Sequence, residues 1–269
     1  MTNPYKVAAI QMVSEPGIDA NLAMAGELIA EAAQGGAKLV ALPEYFCHMG
    51  MAETDKVLCC EADGDGPVQA FLAAAAAKHG VWLVGGTVPM RCDDPDRVRN
   101  SCMVYDPNGH RVARYDKIHL FGFHNERERY LESATIEAGN QPAAIDTPMG
   151  RLALSVCYDI RFPELYRALA PVDLITVPSA FTATTGQAHW ELLVRARAVE
   201  NLAYVLAPAQ GGKHLNGRRT HGHSMIVDPW GRILAERSTE GPGVVIAEID
   251  PTYQAKVRRS LPALDHRVL

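Results

Sequence analysis

A four-layer α-β-β-α sandwich, an α/β fold built from two similar halves, is what this sequence predicts. Three observations carry the prediction. Short apolar runs alternate with helical segments along the whole chain. Two Asp-Pro-x-Gly hairpins recur at a fixed offset, and two apolar runs end in proline at matched places.

The elements follow in order. Residues 6–12 (KVAAIQM) form a short apolar run and read as a strand. Residues 21–33 carry Leu22, Ala25, Leu28, Ile29 and Ala32 at helical spacing, and Gly35-Gly36 stops the helix. Residues 39–42 (LVAL) are a buried-strand candidate ended by Pro43. Residues 67–79 are Ala-rich, with Pro67 in the first turn and Gly80 after the end, so they read as a helix. Residues 81–84 (VWLV) are a strand, and residues 101–115 a hairpin turning at Asp106-Pro107-Asn108-Gly109. The second part repeats this order: strand 152–156, helix 163–169, strand 174–177 ended by Pro178, helix 187–201, strand 204–207. The hairpin 224–235 then turns at Asp228-Pro229-Trp230-Gly231. In helix 187–201, Leu192, Leu193, Ala196 and Val199 read as one apolar side.

MVYDPNGHRV from Met103 and MIVDPWGRIL from Met225 stand 122 positions apart. Trp82-Leu83-Val84 and Tyr204-Val205-Leu206 share that offset, while LVALPEYF and LITVPSAF match at 135. Two βαβαββ halves, approximately 5–116 and 150–250, are therefore expected within one domain spanning 1–269, with 251–269 as a C-terminal extension. Each half offers one sheet with helices on one face, and stacking the sheets completes the sandwich.

Composition narrows the function classes. The 269 residues fall between one large domain and two small ones. A net charge of −5 argues against a nucleic-acid partner, which usually meets a basic excess. No apolar run approaches the roughly 18 residues of a membrane span, and the start, MTNPYKVAAIQ, has no signal-peptide pattern. Of the 6 cysteines, Cys59 and Cys60 are adjacent, the rest are scattered, and no CxxC occurs, so free thiols in a reducing cytoplasm are expected. No HExxH, GxGxxG, P-loop or GxSxG motif is present; His221 and His223 form an HxH without further evident ligands.

Where the halves differ, chemistry has room. After matched strands the first half has Leu42-Pro43-Glu44 and the second Val177-Pro178-Ser179. Strand ends of α/β sheets collect ligands. Glu44 reads as a general base or as a solvated loop glutamate. Cys157 ends the strand LALSV before Tyr158-Asp159; it reads as a nucleophile at a strand-to-helix turn or as a core thiol. Lys117 and Glu132 read as surface charges or as site residues, the lysine as a cation over a developing oxyanion.

Three segments taken together resemble the Glu, Lys and Cys signatures of the nitrilase superfamily of carbon–nitrogen hydrolases, in that order. They are Leu42-Pro43-Glu44-Tyr45, Tyr115-Asp116-Lys117-Ile118-His119-Leu120 and Val156-Cys157-Tyr158-Asp159-Ile160-Arg161-Phe162-Pro163-Glu164. The segments Thr185-Gly186-Gln187-Ala188-His189-Trp190-Glu191 and Gly222-His223-Ser224-Met225, with Ala209-Gln210-Gly211-Gly212-Lys213-His214, are similar to the Nit branch, and most to its deaminated glutathione amidases. The loop 121–129 departs from relatives, as do Gly212 and Lys213 in the branch's Q-C-G-R-H run.

The resemblance implies a nitrilase-like sandwich and a cysteine-dependent amidase needing no cofactor and no metal. Its substrate would be a small 2-oxoacid amide, deaminated glutathione or, for an ω-amidase, α-ketoglutaramate. A nitrilase, aliphatic amidase or carbamoylase activity, or an inactive assembly module, are the competing expectations. By carry-over, Glu44 is the base, Cys157 the nucleophile, Lys117 and the Tyr158 N–H the oxyanion donors, and Glu132 an orienting carboxylate. Arg161 is expected either to clamp the substrate carboxylate or to pair with Glu164. Phe181 is expected at the substrate. The resemblance further implies a homodimer or higher homo-oligomer, with 251–269 crossing to a partner subunit.

Overall fold

A computed structural model describes residues 3–126 and 128–268 of the chain. Arg127, in the unusual 121–129 loop, lies outside the described residues. Two main sheets form the centre. The first runs in the order Gly243–Ile249, Tyr5–Gln11, Ala37–Ala41, Trp82–Val84, Val98–Tyr105 and Val88–Arg91, and Arg111–Asp116 also pairs with Val98–Tyr105. The second runs Ile233–Glu236, Met225–Val227, Tyr204–Ala207, Leu174–Thr176, Gly150–Leu154 and Ala143–Thr147.

In each sheet three central strands are parallel: those containing Val7, Leu39 and Leu83, and those containing Leu152, Ile175 and Val205. Parallel neighbours need a crossover. The helices Ile18–Gln34 and Pro67–His79 supply it in the first sheet, Pro163–Leu169 and Ala183–Asn201 in the second.

Side-chain alternation then sorts the core into layers. Val7, Ala9, Leu39, Ala41 and Val104 share one apolar core with the second sheet. Their neighbours Ala8, Ile10, Val40, Leu42 and Met103 face the other way, onto Ile29 and Ala32 of the helix Ile18–Gln34 and Leu72 and Ala76 of the helix Pro67–His79. Trp190, Val194 and Ala198 cover the second sheet's far side. The layers are helix, sheet, sheet, helix.

The two Asp-Pro-x-Gly turns are built alike. Asp106 Oδ1 accepts the backbone N–H of Asn108 at 2.8 Å and of His110 at 2.9 Å. Asp228 Oδ1 accepts those of Trp230 at 2.8 Å and Arg232 at 2.9 Å.

Several details depart from the sequence reading. The helix expected at 187–201 begins at Ala183, because the Thr182 hydroxyl caps it by accepting the Thr185 N–H at 3.2 Å. Its buried stripe is Trp190, Val194, Arg197, Ala198 and Asn201; of the apolar side expected from the sequence, Leu193 packs against the core while Leu192 and Val199 are 68% and 44% exposed. The strand Gly243–Ile249 belongs by position to the second half but pairs antiparallel with Tyr5–Gln11 in the first sheet. The helix Pro251–Ser260 after it packs on its own chain: Gln254 Nε2 donates to Asp173 O and Leu202 O, both at 3.0 Å. Among the described residues no helix is long and apolar enough to cross a membrane, and no cluster of three or more His, Cys, Asp or Glu could hold a metal ion.

Candidate active site

Loops that follow strands deliver the central side chains. Glu44 lies just past Ala37–Ala41 and Lys117 directly after Arg111–Asp116. Glu132 opens the 3-10 turn Glu132–Ala134, and Cys157 the 3-10 turn Cys157–Arg161 beyond the strand Gly150–Leu154. Two of these places use left-handed backbone in non-glycine residues, Tyr45 with φ 56° and Cys157 with φ 49°. Such conformations cost about 1–2 kcal/mol each and persist only where the surroundings hold them.

The Cys157 turn is held by Asp159, which is fully buried. Its carboxylate accepts the Val156 N–H at 2.8 Å and the Tyr115 hydroxyl at 2.7 Å on one oxygen, and the His119 N–H at 3.0 Å on the other. His119 Nδ1 also lies 2.7 Å from that second oxygen. One carboxylate thereby ties the cysteine turn to the segment carrying Lys117. The Cys157 N–H donates to Pro178 O at 2.9 Å.

Lys117 is fully buried, between two acids. Its Nζ donates to Glu44 Oε1 at 2.8 Å and to Glu132 Oε1 and Oε2 at 2.9 and 2.7 Å. Burial opposes the ammonium charge, but Glu132 and Glu44 overcome it and hold the Lys117 pKa above its ordinary value. The two acids diverge. Burial pushes Glu44 up, with Lys117 only partly offsetting it. Glu132 is buried too, yet Lys117, the Phe121 N–H and the Tyr45 hydroxyl bring it below the ordinary carboxylate range. The bonding explains the split. Glu132 accepts from Tyr45 Oη at 2.9 Å and Phe121 N at 2.7 Å besides Lys117. Glu44 concentrates its nitrogen partners on Oε1, where Asn100 Nδ2 also donates at 2.9 Å, and the Cys157 thiol acts on the same carboxylate as a hydrogen-bond donor.

That contact bears on the state of Cys157. Burial, then the Glu44 charge, push the thiol well above its ordinary value, while Lys117 and the Ala180 N–H pull it down. The resting cysteine is a thiol held against the Glu44 carboxylate. Such a set can generate a thiolate on demand, with a fixed ammonium beside the attacked carbon.

Cys157 opens into a cavity also lined by Glu132, Phe121, Tyr158, Phe181 and Arg218. Of the residues expected from the sequence, Glu44, Lys117, Glu132 and Cys157 converge, and Tyr158 and Phe181 line the cavity. Arg161 is not among the lining residues. Its guanidinium lies over the Phe181 and Tyr158 rings, 5.4 and 5.7 Å from their centroids, and Nη2 is 3.3 Å from His189 Nδ1. Sequence reasoning assigned no task to Asn100, Tyr45, Asp159 or Arg218. Tyr45 and Asp159 sit inside the quoted motifs, whereas Asn100 and Arg218 reach the site only through the pairing of distant segments.

The sequence pattern of the carbon-nitrogen hydrolase family matches residues 6–259. A Synechocystis protein named deaminated glutathione amidase is 45% identical over 271 residues, covering 98% of each chain. The Saccharomyces cerevisiae Nit3 structure, a member of branch 10 of the nitrilase superfamily, superposes with a TM-score of 0.89 at 34% identity, covering 99% of this chain and 97% of that one. A mutant amidase from Nesterenkonia sp. AN1, showing the result of Michael addition of acrylamide at the active site cysteine, gives 0.79 at 27% identity over 96% and 98%. The match thus runs from the first strand into the last helix, across every segment that meets at Cys157: this chain belongs to the carbon-nitrogen hydrolase family and hydrolyses carbon–nitrogen bonds other than peptide bonds.

Proposed function

We propose that the chain is a cysteine-dependent amidase acting on a small 2-oxoacid amide, deaminated glutathione first and α-ketoglutaramate second. The observation that carries the mechanism is the buried Lys117 shared by Glu44 and Glu132, with the Cys157 thiol against the Glu44 carboxylate. The name borne by the Synechocystis relative supports the substrate.

Glu44 takes the Cys157 proton as sulfur attacks the amide carbon. Negative charge moves to the amide oxygen, where the Lys117 ammonium and the Tyr158 N–H meet it. A well-placed oxyanion donor contributes about 3–4 kcal/mol of transition-state stabilisation. Glu44 returns its proton to the leaving amine, which departs and leaves a thioester. Water enters, gives a proton to the same carboxylate and attacks the acyl carbon. The acid is released and the thiol restored. Glu132 stays charged throughout and orients Lys117. Arg161, at the rim behind Tyr158 and Phe181, meets the carboxylate at the far end of the longer substrate. The protein acts without a cofactor, as a homodimer or higher homo-oligomer in the cytoplasm, on a small molecule and not on nucleic acid or membrane. The exposed Leu192 and Val199 on the helix Ala183–Asn201 support the self-association.

A panel of deaminated glutathione, α-ketoglutaramate, a simple aliphatic amide, a nitrile and an N-carbamoyl amino acid tests the substrate. The 2-oxoacid amides are expected to give the highest kcat/KM; a preference for any other member overturns the assignment. Intact-mass trapping of an acyl adduct, absent in Cys157→Ala, tests the nucleophile.

A further inference from the structure

We propose that Arg218 is the cation that receives the carboxylate of the acyl group held on Cys157, and so sets the preference for acids over neutral amides. The proposal deepens the amidase reading and rests on it. Three observations lead to it. First, Arg218 lines the same cavity as Cys157. Second, its guanidinium is under-used: Nη2 donates to Ala180 O at 2.9 Å, while the buried Nε has no partner. Its charge lies over the Tyr130 ring at 5.2 Å. Third, the neighbouring acids are engaged elsewhere. Glu132 and Glu44 hold Lys117, and Glu53, on the other side of Arg218, holds Lys56 at 2.5 Å. Among the described residues none forms an ion pair with Arg218.

A half-buried guanidinium with no ion-pair partner and a buried N–H left unsatisfied gains from a ligand that completes it, although Glu44 and Glu53 act on its charge from a distance. The guanidinium fork fits a carboxylate in two parallel hydrogen bonds. The catalytic group itself adds a reason: two glutamates against one lysine leave a negative surplus that repels an anionic substrate, and Arg218 offsets it.

The acyl side is assigned by the order of events. The amine must leave and water must replace it, so its side of the site has to open to solvent. The acyl group stays bonded to sulfur through both steps. Ala180 links the two ends of the acyl pocket, since its N–H acts on the Cys157 sulfur and its carbonyl oxygen accepts from Arg218. Arg161 lies outside that pocket, over Tyr158 and Phe181.

The test measures selectivity. For the unmodified enzyme, Arg218→Met and Arg218→Lys, kcat/KM is compared for α-ketoglutaramate, deaminated glutathione and pentanamide, which has the same acyl length and no carboxylate. In Arg218→Met the ratio of each acid substrate to pentanamide is expected to fall about 100-fold, equally for both leaving groups, with partial recovery in Arg218→Lys. A proportional loss on all three amides makes Arg218 structural and overturns the proposal, as does a fall confined to deaminated glutathione. A second arm needs no turnover: 2-oxoglutarate binding to Cys157→Ala is measured by calorimetry with and without Arg218→Met. Affinity is expected to drop about 100-fold, and unchanged affinity overturns the assignment. Failure of the amidase reading is separate, because the unmodified enzyme would then turn over none of the amides while the binding arm still judges Arg218.

Discussion

A protonated thiol is a poor nucleophile, so the resting state of Cys157 dictates how the site works. Burial and the Glu44 charge hold the thiol above its ordinary pKa, and in the mechanism we propose its proton moves to Glu44 as the bond to carbon forms. Because burial raises Glu44, kcat/KM should fall with acid through a pKa above the ordinary glutamate value of about 4.3. Asn100 donates to that carboxylate and favours its charge. Asn100→Ala is therefore expected to move the acid limb of the pH profile to higher pH; a limb that stays or moves down contradicts the base assignment. Glu44→Gln should lower kcat by about 10²–10⁴-fold with the fold intact by circular dichroism. Arg161→Met should raise KM for deaminated glutathione about tenfold and leave α-ketoglutaramate less affected, as a rim contact to the leaving portion requires. The sequence singled out Glu44, Lys117 and Cys157 as candidates because each sits in a contiguous motif at a strand end. Arg218 was illegible: in Asn216-Gly217-Arg218-Arg219 it looks like a surface charge, and only tertiary packing separates it from Arg219, which pairs with Glu240 in solvent at 2.6 Å.

At the scale of elements, the two Asp-Pro-x-Gly turns have equal local chemistry and different surroundings. Gly109 and Gly231 adopt φ of 84° and 85°, the left-handed region where a Cβ costs about 1–2 kcal/mol. A Cβ on Gly109 would also stand 2.6 Å from the Ala73 backbone oxygen in the helix Pro67–His79. At Gly231 its nearest neighbour is a Val199 methyl at 2.7 Å, on a half-exposed side chain with room to turn. Both Gly→Ala variants should lose stability in denaturant unfolding, Gly109→Ala by about 1 kcal/mol more than Gly231→Ala. Equal losses would mean that the helix yields as easily as a side chain. The turns, the helix Pro67–His79 and most strands were readable, because proline, glycine and apolar periodicity act locally. The helix Ala183–Asn201 was read four residues short. Thr184-Thr185-Gly186 has poor intrinsic helicity, and what sustains it is the Thr182 cap together with close packing: a Cβ on Gly186 would lie 2.2 Å from His221.

For the whole molecule, the question is whether each half can exist alone. Residues 3–149 contain most of the first sheet, but not its edge strand Gly243–Ile249, which pairs along all of Tyr5–Gln11. They also leave Val7, Ala9, Leu39, Ala41, Val84 and Val104 facing a second sheet that is missing. The exposed strand edge and the uncovered apolar face both favour aggregation. The proposed catalytic set is divided the same way, with Glu44, Lys117 and Glu132 on one side and Cys157 on the other. This crossing was hidden from the sequence: the apolar run at 243–249 carries no sign that its partner is Tyr5–Gln11. We therefore expect one cooperative unit. A fragment ending at residue 149 should bind ANS and unfold without a sharp transition, as should its complement from 150. Mixed during refolding, the fragments are expected to recover the near-ultraviolet dichroism of the full chain and amidase activity together. A first fragment that unfolds cooperatively by itself would show that the sandwich is two domains and that the closing strand is dispensable.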